Sequence, residues 1–247
     1  MAYILVILLG TLLIGLSKGG LGGPVPVALV TPLLSQVMPA AQAVGIALPL
    51  LMVGDLFALW AYWRRWDTHQ IRLLLPMAVI GVVMGTLLLA SLAGQDLLLR
   101  RILGLFTLLV VIYKVGSERL RKLEYRSRRW HSWLVGWLSG FGSALANVGA
   151  PPFTAYMLLQ NISPVAFIAN TTLLFAIVNA LKLPGVLLTG VLDLNQFIGI
   201  LWALPLIPPS IWLGRKFVDW VNPQIFEQLM VVLLFAASLA LLFSAPR

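Results

Sequence analysis

The stretch Gly15-Leu-Ser-Lys-Gly-Gly-Leu-Gly-Gly-Pro24 interrupts an otherwise apolar run extending from the amino terminus to about Met38. Lys18 and the four glycines that follow it, inside a segment of membrane length, are costly in lipid, where every backbone polar group must be satisfied by protein or by water in a cavity. The stretch therefore marks a helix break and a candidate site.

The surroundings set the class. Of 247 residues, 60% are hydrophobic and only 10% charged, with a mean hydropathy of +0.98, more apolar surface than a soluble domain can hide. Runs such as Ala41 to Trp63 and Leu73 to Leu92 reach the roughly 20 residues of a spanning helix, and they lack the strict alternation of a barrel strand. An all-α, polytopic membrane protein is predicted. With no cysteine there are no disulfides, thiolate metal ligands or thiol nucleophiles. The first segment has no basic region before it and leads into further apolar sequence, so it is expected to be structural and not a cleaved signal.

Hydropathy with glycine, proline and charge punctuation predicts ten apolar segments, at about 2–17, 24–38, 41–63, 71–92, 97–114, 130–146, 150–160, 165–183, 196–213 and 224–243. The second and seventh are short, and each follows a glycine-containing break. They are read as either full spans or re-entrant arms.

Basic residues orient the chain. With alternating segments, Arg64, Arg65, Arg72, Lys114, Arg119, Arg121, Lys122, Arg126, Arg128, Arg129, Arg215 and Lys216 fall on one side, against Arg100, Arg101 and Arg247 on the other. The positive-inside rule then makes the 114–129 loop cytoplasmic and puts both termini outside. The excess of Lys and Arg is thus an orientation signal, and nucleic acid is not an expected partner.

The same loop divides the chain into a first membrane repeat (1–115), a basic cytoplasmic linker (116–129) and a second repeat (130–247). Superposing the halves aligns Gly23-Pro-Val-Pro26 with Val148-Gly-Ala-Pro151, Pro39 with Pro164, Gly45 with Asn170 and Gly54 with Asn179. Five segments per half is an odd number, so the second half is expected to be inverted, as in many transporters.

In the first break, Ser17, Lys18, Gly19, Gly20, Gly22 and Gly23 precede Pro24, a residue suited to a helix start. A helix starting there would turn N–H groups and its positive dipole end toward the break, and glycines would let an oxyanion approach them. The alternative is plain helix packing, which the Gly19 to Gly23 spacing also fits, with Lys18 snorkelling to the surface. The second break, Ser139-Gly-Phe-Gly-Ser-Ala-Leu-Ala-Asn-Val-Gly-Ala-Pro-Pro152, offers Ser143, Asn147 and Gly149 before another proline-started helix. Two such amino termini meeting from opposite faces would form a pocket for a small oxyanion.

Asn170 and Thr171 are candidate side-chain donors to that pocket, interhelical hydrogen bonding being their ordinary role. Asp55 is the one acid well inside an apolar segment. It is the candidate proton carrier, the structural alternative being a pair with Lys18 or Lys182. Lys182 is expected to snorkel at the outer end of its helix. Gly81 with Gly85, and Gly136 with Gly140, read as close-packing faces; Trp60, Trp63, Trp66, Trp130 and Trp133 read as interfacial belts. His69 and His131 form no metal or catalytic set, and no nucleophile, base and orienting group come together, so neither an enzyme nor a cofactor is expected.

The sequence resembles the TauE/SafE sulfite-exporter family, also called the toluene-sulfonate uptake permease group. The likeness lies in Gly15-Leu-Ser-Lys-Gly-Gly-Leu-Gly-Gly23, Pro49-Leu-Leu, Asp55-Leu-Phe-Ala-Leu-Trp60, Tyr62-Trp-Arg-Arg-Trp-Asp67, Asn170-Thr-Thr and Asn179-Ala-Leu-Lys182. The resemblance implies a bacterial inner-membrane carrier of sulfite, sulfonates or related sulfur oxyanions. Its expected partners are a small anionic substrate and the lipid bilayer, with a homodimer allowed. An anion channel and a non-transporting membrane scaffold are the competing readings, and saturable flux and ligand binding would separate them.

Overall fold

The structure, a computed structural model, describes residues 1–21, 23–120, 128–160, 163–220 and 222–245. These are helical almost throughout: α1 (Ala2–Lys18), α2 (Val25–Leu34), α3 (Ala40–Ala61), α4 (Thr68–Leu92), α5 (Asp96–Leu120), α6 (Arg129–Ala146), α7 (Ala150–Leu158), α8 (Pro164–Leu188), α9 (Leu194–Ile200), a 3-10 stretch (Leu201–Leu206), α10 (Ile207–Trp220) and α11 (Pro223–Leu242). Among the described residues five stretches are long and apolar enough to cross a membrane, at α3, α4, α8, the α9 to α10 run and α11. Local chemistry sets several starts. Asp67 caps α4 by accepting from the His69 N–H, Ser163 caps α8 with Pro164 behind it, and the Asn222 side chain accepts from Gln224 and Ile225.

Two predicted segments differ in form. The ninth is divided by 3-10 backbone around Pro205, as proline's missing donor and ring clash dictate. The fifth continues to Leu120, so the start of the expected 116–129 linker is helical. Residues 121–127 of that linker lie outside the described residues.

The short segments are hairpin arms. At about 1.5 Å per residue, α2 and α7 are roughly 15 Å and 14 Å long, half of the roughly 30 Å hydrocarbon thickness. Each folds back on the helix before it. A Cβ built on Gly10 of α1 would meet Val30 Cγ1 of α2 at 3.3 Å. Near the other hairpin's base, the hydroxyls of Ser132 on α6 and Tyr156 on α7 are 2.7 Å apart.

The hairpins enter from opposite ends of α3. The base of α1–α2 lies by the start of α3, where Arg100 of α5 donates to the carbonyls of Ser35 and Met38 while Asp96 accepts from the Ala40 N–H. The base of α6–α7 lies by the start of α4, where the Tyr156 hydroxyl reaches Gln70. The tips pass one another: Lys18 reaches Asp55, whereas Asn147 reaches the Val44 carbonyl, nearly three turns closer to the start of α3.

Close packing fixes this arrangement. Gly81 and Gly85 of α4 lie against the Trp137 and Phe141 carbonyls of α6, and Gly136 and Gly140 of α6 against the Leu74 and Ala78 carbonyls of α4. A Cβ on Gly140 would fall 2.1 Å from the Ala78 oxygen, so these glycines are the close-packing faces their spacing predicts. One apolar cluster gathers around α3 with α1, α2, α5, α10 and α11, and a second joins α4, α6, α7 and α8. Large apolar side chains such as Leu56, Val83, Leu109 and Val232 are exposed on the outside, as in a protein whose solvent is lipid.

Candidate functional site

Where the hairpin tips meet, a cavity of about 300 Å³ opens between the two clusters. The first hairpin lines it with Ser17, Lys18, Gly20, Gly23, Pro24 and Val27; the second with Ser143, Asn147, Gly149, Ala150 and Thr154. Leu51 of α3 and a stripe of α8 close the rest.

The tip of the first hairpin is a glycine turn. Gly20 has φ +107° and Gly23 φ +59°, conformations that a Cβ disfavours, and the Ser17 hydroxyl closes the loop by donating to the Gly23 carbonyl. Gly19 does something else. A Cβ there would meet the Ile211 carbonyl of α10 at 2.5 Å, so Gly19 packs against α10 and is not among the residues that line the cavity. Gly22 lies outside the described residues.

The tip of the second hairpin turns on Asn147, the left-handed C-cap of α6 at φ +57°, a conformation that asparagine tolerates better than most residues. Its amide donates to Thr31 Oγ1 at 3.1 Å and to the Val44 carbonyl at 3.0 Å, tying this tip to α2 and α3. Both helix starts on the cavity carry prolines, which thins the expected ring of backbone donors. Of the first three residues of α2 only Val25 and Val27 have an N–H, and of α7 only Ala150. Side chains therefore make up much of the donor set.

Helical periodicity decides which polar residues of α8 take part. Ile168, Thr171, Thr172, Phe175 and Asn179 form one stripe facing the cavity. Asn170 lies on another face and is not among the residues that line the cavity; it is fully buried and accepts from the Asp67 N–H at 2.7 Å. The stripe continues to Lys182, which does not snorkel. It is 0% exposed, and its ammonium nitrogen lies 2.7 Å from Asn147 Oδ1, 3.0 Å from Asn179 Oδ1 and 3.0 Å from the Ser143 carbonyl.

A continuous polar chain results. Lys18 is paired with Asp55, the other Asp55 oxygen accepts from Asn179 Nδ2 at 2.7 Å, and Asn179 passes on to Lys182 and thence to Asn147 and Ser143. It links the two hairpin tips through α3 and α8. Sequence analysis named Asp55 and Lys18 as one option for a pair. It did not give Asn179, Lys182, Thr154 or Thr172 a place at the site, although the 168, 171, 175, 179, 182 spacing was there to be read. Thr154 is part of the cavity wall, and its Oγ1 is buried with no hydrogen-bond partner in the protein. Among the described residues no cluster of His, Asp or Glu could hold a metal.

A bundle of long apolar helices that admits two broken hairpins from opposite ends, with a cavity lined in part by polar side chains where they meet, has the build of a membrane transporter. A family model described as sulfite exporter TauE/SafE matches residues 6–241, and the chain belongs to that family. It is a multi-pass membrane protein of the transporter class. No curated protein and no solved structure matches the chain.

Proposed function

We propose that the protein is a secondary carrier that exports a small sulfur-containing oxyanion, such as sulfite, thiosulfate or an organosulfonate, by alternating access around the two hairpins. The observation that carries this reading is the cavity between the hairpin tips, with the Lys18 ammonium and the starts of α2 and α7 on its wall. Positive helix ends and a lysine attract an anion, and glycines at Gly20, Gly23 and Gly149 let it come close to backbone. Its volume lies at the small end of ligand cavities, which run from about 300 to 1,000 Å³.

In this reading Ser17, Lys18, Gly20, Gly23, Ser143, Asn147, Gly149, Thr171 and Thr154 contact the anion. The halves 1–115 and 130–247 act as inverted repeats, which the opposed entry of the hairpins supports. The protein lies in a bacterial inner membrane with its 114–129 segment cytoplasmic and both termini outside, and an inside-negative potential favours exit whenever the transported species carries net negative charge.

The test is thermal unfolding of the purified protein in detergent with sulfite, thiosulfate, sulfate, sulfoacetate, taurine and chloride, followed by flux in proteoliposomes. A bound anion raises the unfolding temperature by mass action. Stabilisation by one sulfur anion, with saturable flux of the same compound, supports the carrier. Non-saturating flux would favour a channel, and absence of any binding a scaffold.

A further inference from the structure

We infer that Lys182 binds a proton that travels with the anion, and that Asp55 is a fixed charge and not the proton carrier. This rests on the anion-carrier reading above.

The inference starts from a mismatch of charge. The polar chain between the hairpin tips contains two lysines and one carboxylate, and the carboxylate is ion-paired with Lys18. Both Asp55 oxygens accept hydrogen bonds, one from Lys18 and one from Asn179, so a proton on the carboxylate would weaken both and leave the Lys18 ammonium without its counter-charge. Lys182 is surrounded by neutral oxygens and is in no ion pair among the described residues. As an ammonium it is a surplus buried cation, which is costly without a counter-charge. As an amine it leaves the chain neutral.

The shell around Lys182 accommodates both states. An ammonium offers three donors, to the Ser143 carbonyl, Asn147 Oδ1 and Asn179 Oδ1. An amine offers two donors and one acceptor, and the Ser143 hydroxyl, 3.3 Å away, is the one partner able to turn its proton toward that lone pair. Every side chain in this shell also lines the cavity: Ser143, Asn147 and Asn179. Lys182 therefore stands directly behind the wall that an anion touches.

The charged groups on the helices packed against α8 are few near this point. Asp55 on α3 comes through Asn179, and Lys18 on α1 through Asp55. The titratable groups of α4 and its cap, Asp67, His69 and Arg72, lie toward Asn170, twelve residues and about 18 Å along α8. Arg129 and His131 of α6, and Tyr156 of α7, belong to the same base of the second hairpin. The counter-charge that an ammonium at Lys182 lacks is thus one that an anion in the cavity would supply. A proton from the aqueous phase to which the cavity opens converts the amine to the ammonium as the anion enters. It returns to water when the anion leaves.

The test counts protons. Methanesulfonate and thiosulfate are used as probes because neither takes up a proton near neutral pH. Each is titrated calorimetrically into the purified protein in buffers of different ionisation heat, between about pH 6 and pH 9. Wild type is expected to take up about one proton per bound anion over part of this range. Lys182→Arg, permanently charged, is expected to bind with no uptake and with affinity within about tenfold of wild type. Lys182→Gln, neutral like the amine, is expected to show no uptake either and locates the proton whether or not the arginine variant folds. Binding to wild type without proton uptake at any pH overturns the inference, as does uptake that persists in Lys182→Arg or in Lys182→Gln. If neither probe binds folded wild-type protein, the anion-carrier reading falls as well, which separates that failure from a failure of the proton site alone.

Discussion

The ammonium of Lys18, the last residue of α1, is paired with the carboxylate of Asp55 on α3, and this pair fastens the tip of the first hairpin to the helix that both hairpins share. The side chains are 14% and 2% exposed, so either charge left alone would be poorly solvated. Lys18→Met or Asp55→Asn alone should lower stability by about 3 kcal/mol or more, because the orphaned charge stays buried. The double variant should lose little beyond either single one. Unfolding temperatures of the three variants in detergent check this, and strictly additive losses would mean that the pair contributes nothing of its own.

Thr154 separates binding from stability. Its hydroxyl is buried in the cavity wall with no partner in the protein, so Thr154→Val removes no internal hydrogen bond. Stability should change by less than about 0.5 kcal/mol. Affinity for the transported anion should fall about tenfold, the scale of one hydrogen bond to a charged ligand. Parallel unfolding and binding curves make the comparison.

Arg100 was read from sequence as an outward-facing orientation charge. It is 3% exposed and holds the carbonyls at the end of α2, with Asp96 bound to its guanidinium at 2.6 Å. Arg100→Met keeps the bulk but strands two backbone acceptors. A loss of at least about 2 kcal/mol is expected. Hydrogen exchange should rise first at Ser35 to Ala40.

Two glycines of the hairpin tips should respond differently to alanine. At Gly23 nothing lies within 4 Å of an added Cβ, and the cost is backbone strain at φ +59°, about 1 kcal/mol. At Gly149 the Cβ would fall 2.1 Å from the Ser139 carbonyl, forcing α6 and α7 apart at about 3 kcal/mol or more. Gly149→Ala should therefore fail in stability where Gly23→Ala fails, if at all, in transport.

The legible part of this fold was the part written in local chemistry. Chain breaks at Gly19 to Pro24 and Asn147 to Gly149 follow from glycine and proline, and the close α4–α6 contact follows from glycines four residues apart. Less legible were the residues whose environment depends on a distant segment. Asn170 and Thr171 are adjacent, yet one is bound to the backbone of Asp67 and the other lines the cavity, because one position of rotation on a helix is about 100°. Gly19 and Gly20 divide in the same way between the α10 contact and the cavity.

By itself the sequence determined a helical membrane protein, the approximate limits of its segments and the two places where they break, since lipid admits only backbone that is satisfied within the segment and marks every exception with glycine, proline or charge. Tertiary structure alone decided which polar groups share one buried chain. Lys182 meets Asn147 across 35 positions and Asp55 meets Asn179 across 124. A lysine near a helix end reads as a snorkelling one until the tip of a second hairpin is packed over it, surrounding its nitrogen with oxygens and closing its way to water.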